Sequence, residues 1–161
     1  MTIYSAAPPT AVHIGEEDLP FVDMGDGSTL QVLQVDLASG VWVIRTQFQP
    51  GAAVQKHKHT GIVYAFTQSG SWHYLETPEA VNTAGSYLFE PAGSVHTLNV
   101  PASNTEVTDV WFVIYGANLN LDANDNIEIV IDAQSVYDFY KIACKDQFGI
   151  DDPPVVMIDS H

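Results

Sequence analysis

His57 and His59 sit either side of one lysine in Gly51-Ala-Ala-Val-Gln-Lys-His57-Lys-His59. Side chains alternate along an extended strand, so two histidines one residue apart point to the same side. An imidazole pair on one face can hold a divalent metal if a third ligand arrives from elsewhere. The candidate is His96, which closes Gly85-Ser-Tyr-Leu-Phe-Glu-Pro91-Ala-Gly93-Ser-Val-His96. Three neutral imidazoles leave the full +2 charge on the ion and coordination positions open to substrate, water or O2. Zinc is content with such a set plus water. Spacing alone does not separate it from iron, nickel or manganese.

The elements that must carry these residues are short strands. Thr29 to Asp36 and Val41 to Phe48, separated by Ala38-Ser-Gly40, read as a first hairpin. His57 and His59 follow on a third strand. Ile62 to Phe66, Trp72 to Glu76, Tyr87 to Glu90, His96 to Val100, Glu106 to Tyr115 and Ile127 to Ile131 complete the β pattern. Strands punctuated by Gly and Pro roughly every 8–12 residues argue a sandwich or barrel. Residues 117–126, rich in Asn and Asp, are expected to be a loop. One helix is expected after Asp132, a good N-cap, with Val136, Phe139, Tyr140 and Ala143 as its buried stripe and Gly149 as its stop. The organisation read from this is an N-terminal arm over 1–18, a barrel over 19–131, and a helix and tail over 132–161. Pro153-Pro154 keeps the tail from being helical, so it lies as an edge strand or crosses to a partner subunit.

Composition sets limits on partners. A chain of 161 residues with 46% apolar residues fills one core. Twenty acidic against five basic residues, formally −15, repel phosphate backbones and anionic lipid, which disfavours nucleic acid and membrane as partners. No apolar run approaches the ~20 residues of a membrane span, and the N-terminus does not read as a signal peptide. A single cysteine, Cys144, rules out an intrachain disulfide framework. A cytoplasmic location is the expectation.

The spacings around the three histidines resemble the paired motifs of the cupin superfamily. Gly51, five residues, His57-Lys-His59 and then Gly70 resemble the first motif. Gly85, five residues, Pro91-x-Gly93, two residues, His96 and then Asn99 resemble the second. The likeness covers about residues 29–115. It implies an all-β, single-domain double-stranded β-helix of jelly-roll type, with the metal inside the barrel. One departure is informative. The usual first motif carries a Glu four or five residues after its second His, and here Val63 and Tyr64 stand at those places. The runs Gly61-Ile-Val-Tyr, Gly70-Ser-Trp-His-Tyr-Leu-Glu, Thr83 to Pro91 and His96-Thr-Leu resemble the dihydroxyacetophenone dioxygenase group of cupins. Acetylacetone dioxygenases share its three-His arrangement.

That resemblance implies a non-haem Fe(II) enzyme that uses O2 to cleave a carbon–carbon bond beside a carbonyl. The implied ligands are His57, His59 and His96, and the implied substrate is a hydroxyketone or β-diketone, aromatic or small. Glu90 is expected to orient a ligand imidazole or to move the substrate's proton, and Tyr74 to donate to a substrate oxygen. Tyr64, Phe66, Trp72 and Trp111 are expected to line the pocket. His73, His13 and His161 are expected to be inert, and Cys144 to be packing. Two rivals stand beside the dioxygenase: a non-catalytic metal-binding or sensory cupin, and a metal-dependent isomerase or lyase using Glu90 with Tyr74. A homodimer or higher homo-oligomer, formed through sheet edges and terminal strands, is expected.

Overall fold

A computed structural model describes residues 3, 4, 8 and 10–159. The strands, in chain order, begin with β1 (Ile3–Tyr4), β2 (Val22–Asp23), β3 (Ser28–Asp36), β4 (Val41–Phe48) and β5 (His57–His59). They continue with β6 (Val63–Ser69), β7 (Ser71–Tyr74), β8 (Asn82–Thr83), β9 (Tyr87–Glu90) and β10 (Val95–His96). After β11 (Leu98–Asn99), β12 (Thr108–Tyr115), β13 (Asn118–Leu121) and β14 (Ile127–Ile131) comes helix α1 (Ala133–Phe148), and β15 (Val156–Ile158) closes the chain.

One wall of the barrel is the sheet β1-β15-β3-β4-β12-β6-β9, with β2 paired on β3. The other wall is made of β10-β5-β13-β14 and β11-β7-β8. This is the jelly roll that the motif likeness implies. Its interior is one apolar cluster in which Val32, Trp42, Val63, Trp72, Leu98 and Val110 are buried. Alternation carries the inside and outside of each strand. On β6 the buried residues are Val63, Ala65 and Thr67, with Tyr64, Phe66 and Gln68 between them. On β3 a bulge between Val32 and Gln34 resets the phase. Leu30 and Val32 therefore share the inner face with Val35 rather than with Gln34, as strict alternation would have it.

Three sequence expectations are corrected. The Asn- and Asp-rich segment 117–126 is not all loop, because Asn118–Leu121 forms β13 and pairs with β5 on one side and β14 on the other. Strand Trp72 to Glu76 runs instead over Ser71–Tyr74. In the helix, Phe139 is 42% exposed and Tyr137 takes its place in a stripe with Val136, Tyr140 and Ala143. The helix ends are as the chain dictates. Asp132 accepts from the Ser135 backbone N–H at 2.9 Å, and Gly149 takes a left-handed φ of 71° that lets its N–H return to the Lys145 carbonyl.

The helix is tied to the barrel beside β2: the Tyr140 hydroxyl donates to the Pro20 carbonyl at 2.6 Å, and Gln147 exchanges two hydrogen bonds with Asp23. The tail pairs within its own chain instead of forming an edge: β15 runs parallel to β3 and is covered on its other side by β1, also parallel. The segment before β2 covers the outer face of β3 and β4. There Gln31 donates to the Leu19 carbonyl, and Arg45 reaches Glu16 at 2.8 Å.

Candidate metal centre

Strand β5 lies between β10 and β13 in the second wall. His57 and His59 are buried and Lys58 between them is exposed, so both imidazoles enter the barrel. β10 runs antiparallel to β5 with His96 directly opposite His57. Cross-strand partners share a face, which brings the third imidazole beside the first pair. The two motif glycines that begin these segments, Gly51 and Gly85, have φ of 85° and 84°, a left-handed conformation that glycine adopts without a Cβ penalty.

The three rings are mutually 4.7–4.9 Å apart by centroid. His57 Nε2 and His59 Nε2 are 3.1 Å apart. Two nitrogens held ~2.1 Å from one ion at octahedral to tetrahedral angles would be about 3.0–3.4 Å apart. His57 Nδ1 lies 2.8 Å from the Gln55 carbonyl, so it is the nitrogen that carries hydrogen and Nε2 keeps the lone pair for an ion. His96 Nε2 is buried without a hydrogen-bond partner among the described residues. Crowded lone pairs that lack donors are costly unless a cation takes them up, so these residues fit a divalent metal. Burial, and then the neighbouring His59 and His96, lower the His57 pKa to about 4, which keeps this ring in the neutral form a metal requires.

A carboxylate completes the group. Glu90 Oε2 lies 2.9 Å from His59 Nε2 and 3.3 Å from His96 Nε2, without hydrogen-bond geometry to either. Its other oxygen accepts the Tyr74 hydroxyl, whose ring stacks on His96 at 3.8 Å and 10°. Burial favours the acid form of Glu90, but the contacts with His59 and His96 outweigh it and hold the carboxyl well below its usual range. Burial, then the Glu90 charge, push the Tyr74 phenol far above its ordinary value, so Tyr74 remains a donor. Glu90 is the cross-strand partner of Val63. The carboxylate missing from the first motif is thus supplied one strand away, on β9 instead of β6, facing the same interior.

Comparison with known proteins decides the family. The model of the ChrR cupin-like domain matches residues 9–118. The chain belongs to the ChrR cupin-like family. A cupin-fold protein of unknown function from Ralstonia eutropha JMP134 is 30% identical, with TM-score 0.85 over 97% of this chain and 96% of that one. An acetylacetone dioxygenase from Acinetobacter johnsonii is 17% identical, with TM-score 0.73 over 85% and 94%. The Rhodobacter sphaeroides SigE complex with the anti-sigma factor ChrR has a chain 16% identical, with TM-score 0.51 over 62% and 50%. The last two likenesses are of fold. No curated protein matches.

In this ChrR cupin-like chain His57 and His59 open into a cavity of about 420 Å³. Its wall is mostly apolar, built by Trp42, Ile44, Phe48, Leu98, Phe112 and Ile114. Tyr74 and Glu90 also line it, and Met24 and Phe139 stand at its helix-side end. Three expected pocket residues lie elsewhere. Tyr64, Phe66 and Trp111 occupy the outer face of β6 and β12, because Val63, Ala65, Val110 and Phe112 take the inner positions. Trp72 is fully buried but stands behind Tyr74, edge-on at 5.2 Å, with its indole N–H donated to Thr67. It supports the pocket wall without reaching the cavity. Residue type alone does not mark Asn118. It lines the cavity opposite His59 on β13, and the alternation Asn118-Leu-Asn-Leu121 was the available signal. His73 is half-buried near Asn99, and Cys144 is buried in the helix interface. His161 lies outside the described residues.

Proposed function

We propose that this protein binds a divalent metal through His57, His59 and His96 and, loaded with Fe(II), uses O2 to cleave a carbon–carbon bond beside a carbonyl in a hydroxyketone or β-diketone. The observation that carries the proposal is the three-imidazole cluster, without a carboxylate from its own motif, opening into an apolar cavity with Glu90 and Tyr74 at its edge. The fold likeness to an acetylacetone dioxygenase supports the same reading.

Bound Fe(II) would supply Lewis acidity toward a chelating oxygen pair and redox access to O2. The chain's own residues do the rest. Glu90 takes the proton that becomes acidic beside the carbonyl. Tyr74 holds Glu90 in place and keeps one of its oxygens occupied. The walls of Trp42, Phe48 and Phe112 exclude water from the ionised head of the substrate, which strengthens the electrostatic terms there.

A second reading is favoured by the 2.9 Å approach of Glu90 Oε2 to His59 Nε2. If that oxygen also binds the ion, coordination closes further, as suits a sensory or storage cupin. The family match and the likeness to the SigE–ChrR complex support that alternative. The test is O2 consumption by iron-loaded protein, prepared anaerobically, with a panel of hydroxyketones and β-diketones. Uptake of O2 with matching acid products is expected. Iron bound in full with no uptake on any member overturns the dioxygenase and leaves the sensory reading.

A further inference from the structure

A neutral imidazole that offers one nitrogen to an ion carries its hydrogen on the other, and that hydrogen needs an acceptor. For His57 the acceptor is the Gln55 carbonyl, 2.8 Å from Nδ1. For His59 the nitrogen turned to the cluster is Nε2, 3.1 Å from His57 Nε2 and 2.9 Å from Glu90 Oε2. Its Nδ1 is buried without a hydrogen-bond partner among the described residues. Two more buried atoms in the same condition belong to its cross-strand neighbours, Asn118 Oδ1 and Ser94 Oγ. Each unpaired buried polar group is costly, so three around one residue call for a reason.

Strand pairing brings the three together. β5 lies between β10 and β13. On the β13 side Asn118 stands directly opposite His59. The adjacent Thr60 N–H donates to the Ala117 carbonyl at 2.9 Å, so His59 and Asn118 form a pair without backbone hydrogen bonds between them. Side chains approach most closely in pairs of that kind, with Cβ atoms roughly 4.5–5.5 Å apart. Both residues line the cavity. On the β10 side the His59 N–H donates to the Ser94 carbonyl at 3.0 Å, and Ser94, two residues before His96, shares its face.

We propose that Asn118 is a positioning residue for the metal: its side-chain oxygen accepts the Nδ1 hydrogen of His59, which holds the tautomer and the ring angle that aim the Nε2 lone pair at the ion. The inference rests on the metal centre of His57, His59 and His96 and is independent of the dioxygenase reading. Chemistry assigns the roles. Nδ1 donates in this tautomer, an amide oxygen only accepts, and the Ser94 hydroxyl does either. Asn118 is the firmer acceptor, because β13 is paired on both sides, with β5 and β14, whereas Ser94 follows the turn at Gly93, where φ is 83°. A neutral amide also suits the site. Glu90 already brings one buried carboxylate to the cluster, and a second would raise the cost of the metal-free state.

The test is Zn(II) affinity by competition with a chromophoric chelator, set beside thermal unfolding of the metal-free full chain. Asn118→Leu should weaken Zn(II) binding by about 10–100-fold. Its metal-free form should unfold no earlier than wild type, because an unpaired polar atom has become apolar. Asn118→Asp should behave in the opposite sense, with Zn(II) bound at least as tightly as in wild type and a less stable metal-free form. Ser94→Ala should weaken Zn(II) less than Asn118→Leu does. In nitrogen-15 spectra of the Zn(II)-loaded protein, the His59 Nδ1 hydrogen should exchange slowly in wild type and Asn118→Asp and rapidly in Asn118→Leu, with the His57 signal unchanged. Unaltered Zn(II) affinity in Asn118→Leu overturns the proposal, even if O2 uptake falls, since Asn118 would then act on the substrate. A destabilised metal-free Asn118→Leu, a failed rescue by Asn118→Asp, or a larger loss in Ser94→Ala overturns it too. Wild type that binds no Zn(II) removes the metal centre and this inference together.

Discussion

Replacing Tyr74 by Phe isolates one contact. The ring is 9% exposed and stacks on His96 at 3.8 Å, and Phe preserves both its volume and its stack. What disappears is the hydroxyl that donates to Glu90 Oε1. Glu90 is 3% exposed, so no solvent replaces the lost donor. A hydrogen bond to a buried ionised group contributes about 1.5–3 kcal/mol. In a domain of this size each kcal/mol moves Tm by roughly 2–4 °C, so Tyr74→Phe should lower Tm by roughly 3–12 °C. The assay is thermal and urea unfolding of four proteins: wild type, Tyr74→Phe, Glu90→Gln and the double variant. Because the two groups touch, their effects should be coupled by at least ~1 kcal/mol. Additive losses, or a Tyr74→Phe protein that unfolds with wild type, refute the Tyr74–Glu90 contact and with it the positioning role of Tyr74.

Three other outcomes follow from the same geometry. Zn(II) or Fe(II) at one hundred times its dissociation constant should stabilise the fold by about 2.7 kcal/mol, seen as a Tm rise of roughly 5–11 °C. His96→Ala should abolish that rise, and an equal rise in the variant would place the ion elsewhere. Asp109→Ala leaves the Arg45 guanidinium, which is 4% exposed and held above its ordinary pKa chiefly by its hydrogen bond to Asp109, with Glu16 as its remaining ion-pair partner, and should cost about 3 kcal/mol in urea unfolding with O2 uptake retained per folded molecule. In metal-free protein, His57 has a pKa lowered from 6.5 to about 4, so the unfolded chain takes up its proton first as pH falls. Its contribution to stability is complete above pH 6.5 and is lost as pH drops to about 4. A flat denaturation midpoint across that window would contradict the buried, neutral ring.

Much of the centre was legible because it is local. His57 and His59 are two residues apart on one strand, and period-two alternation alone puts them on one face. His96 is near them because of a strand pairing, which the paired motif spacings resemble but which residue patterning by itself does not state. The pocket wall was harder. Tyr64, Phe66, Trp72 and Trp111 are aromatic and close in sequence to the motifs, which is all that residue type can say. Strand phase decides otherwise, and the phase of β6 is set by Val63, which pairs inward with Glu90. Trp42 and Phe48 were visible only as strand residues, since nothing local says that β4 faces β5 across the cavity. β13 was hidden by its composition. Asn118 and Asn120 read as turn formers, yet they sit opposite His59 and His57.

The exchange between Val63 and Glu90 links the sequence departure to the chemistry. A carboxylate at the usual first-motif position would sit on the same strand segment that follows His59. Placed on β9, it arrives from the neighbouring strand, just before the turn of Pro91 and Gly93 that leads to His96. Glu90 is then tied on one side to Tyr74 and poised on the other at His59 and His96, between the ligand cluster and the cavity. On the proposed function, a residue so placed shares a proton with the substrate in the cavity, which a carboxylate fully committed to the ion would not do. The same pairing fixes the outside of the molecule. With Val63 and Glu90 turned inward, Tyr64 and Phe89 must turn outward, so the shift that equips the interior also builds an aromatic outer face.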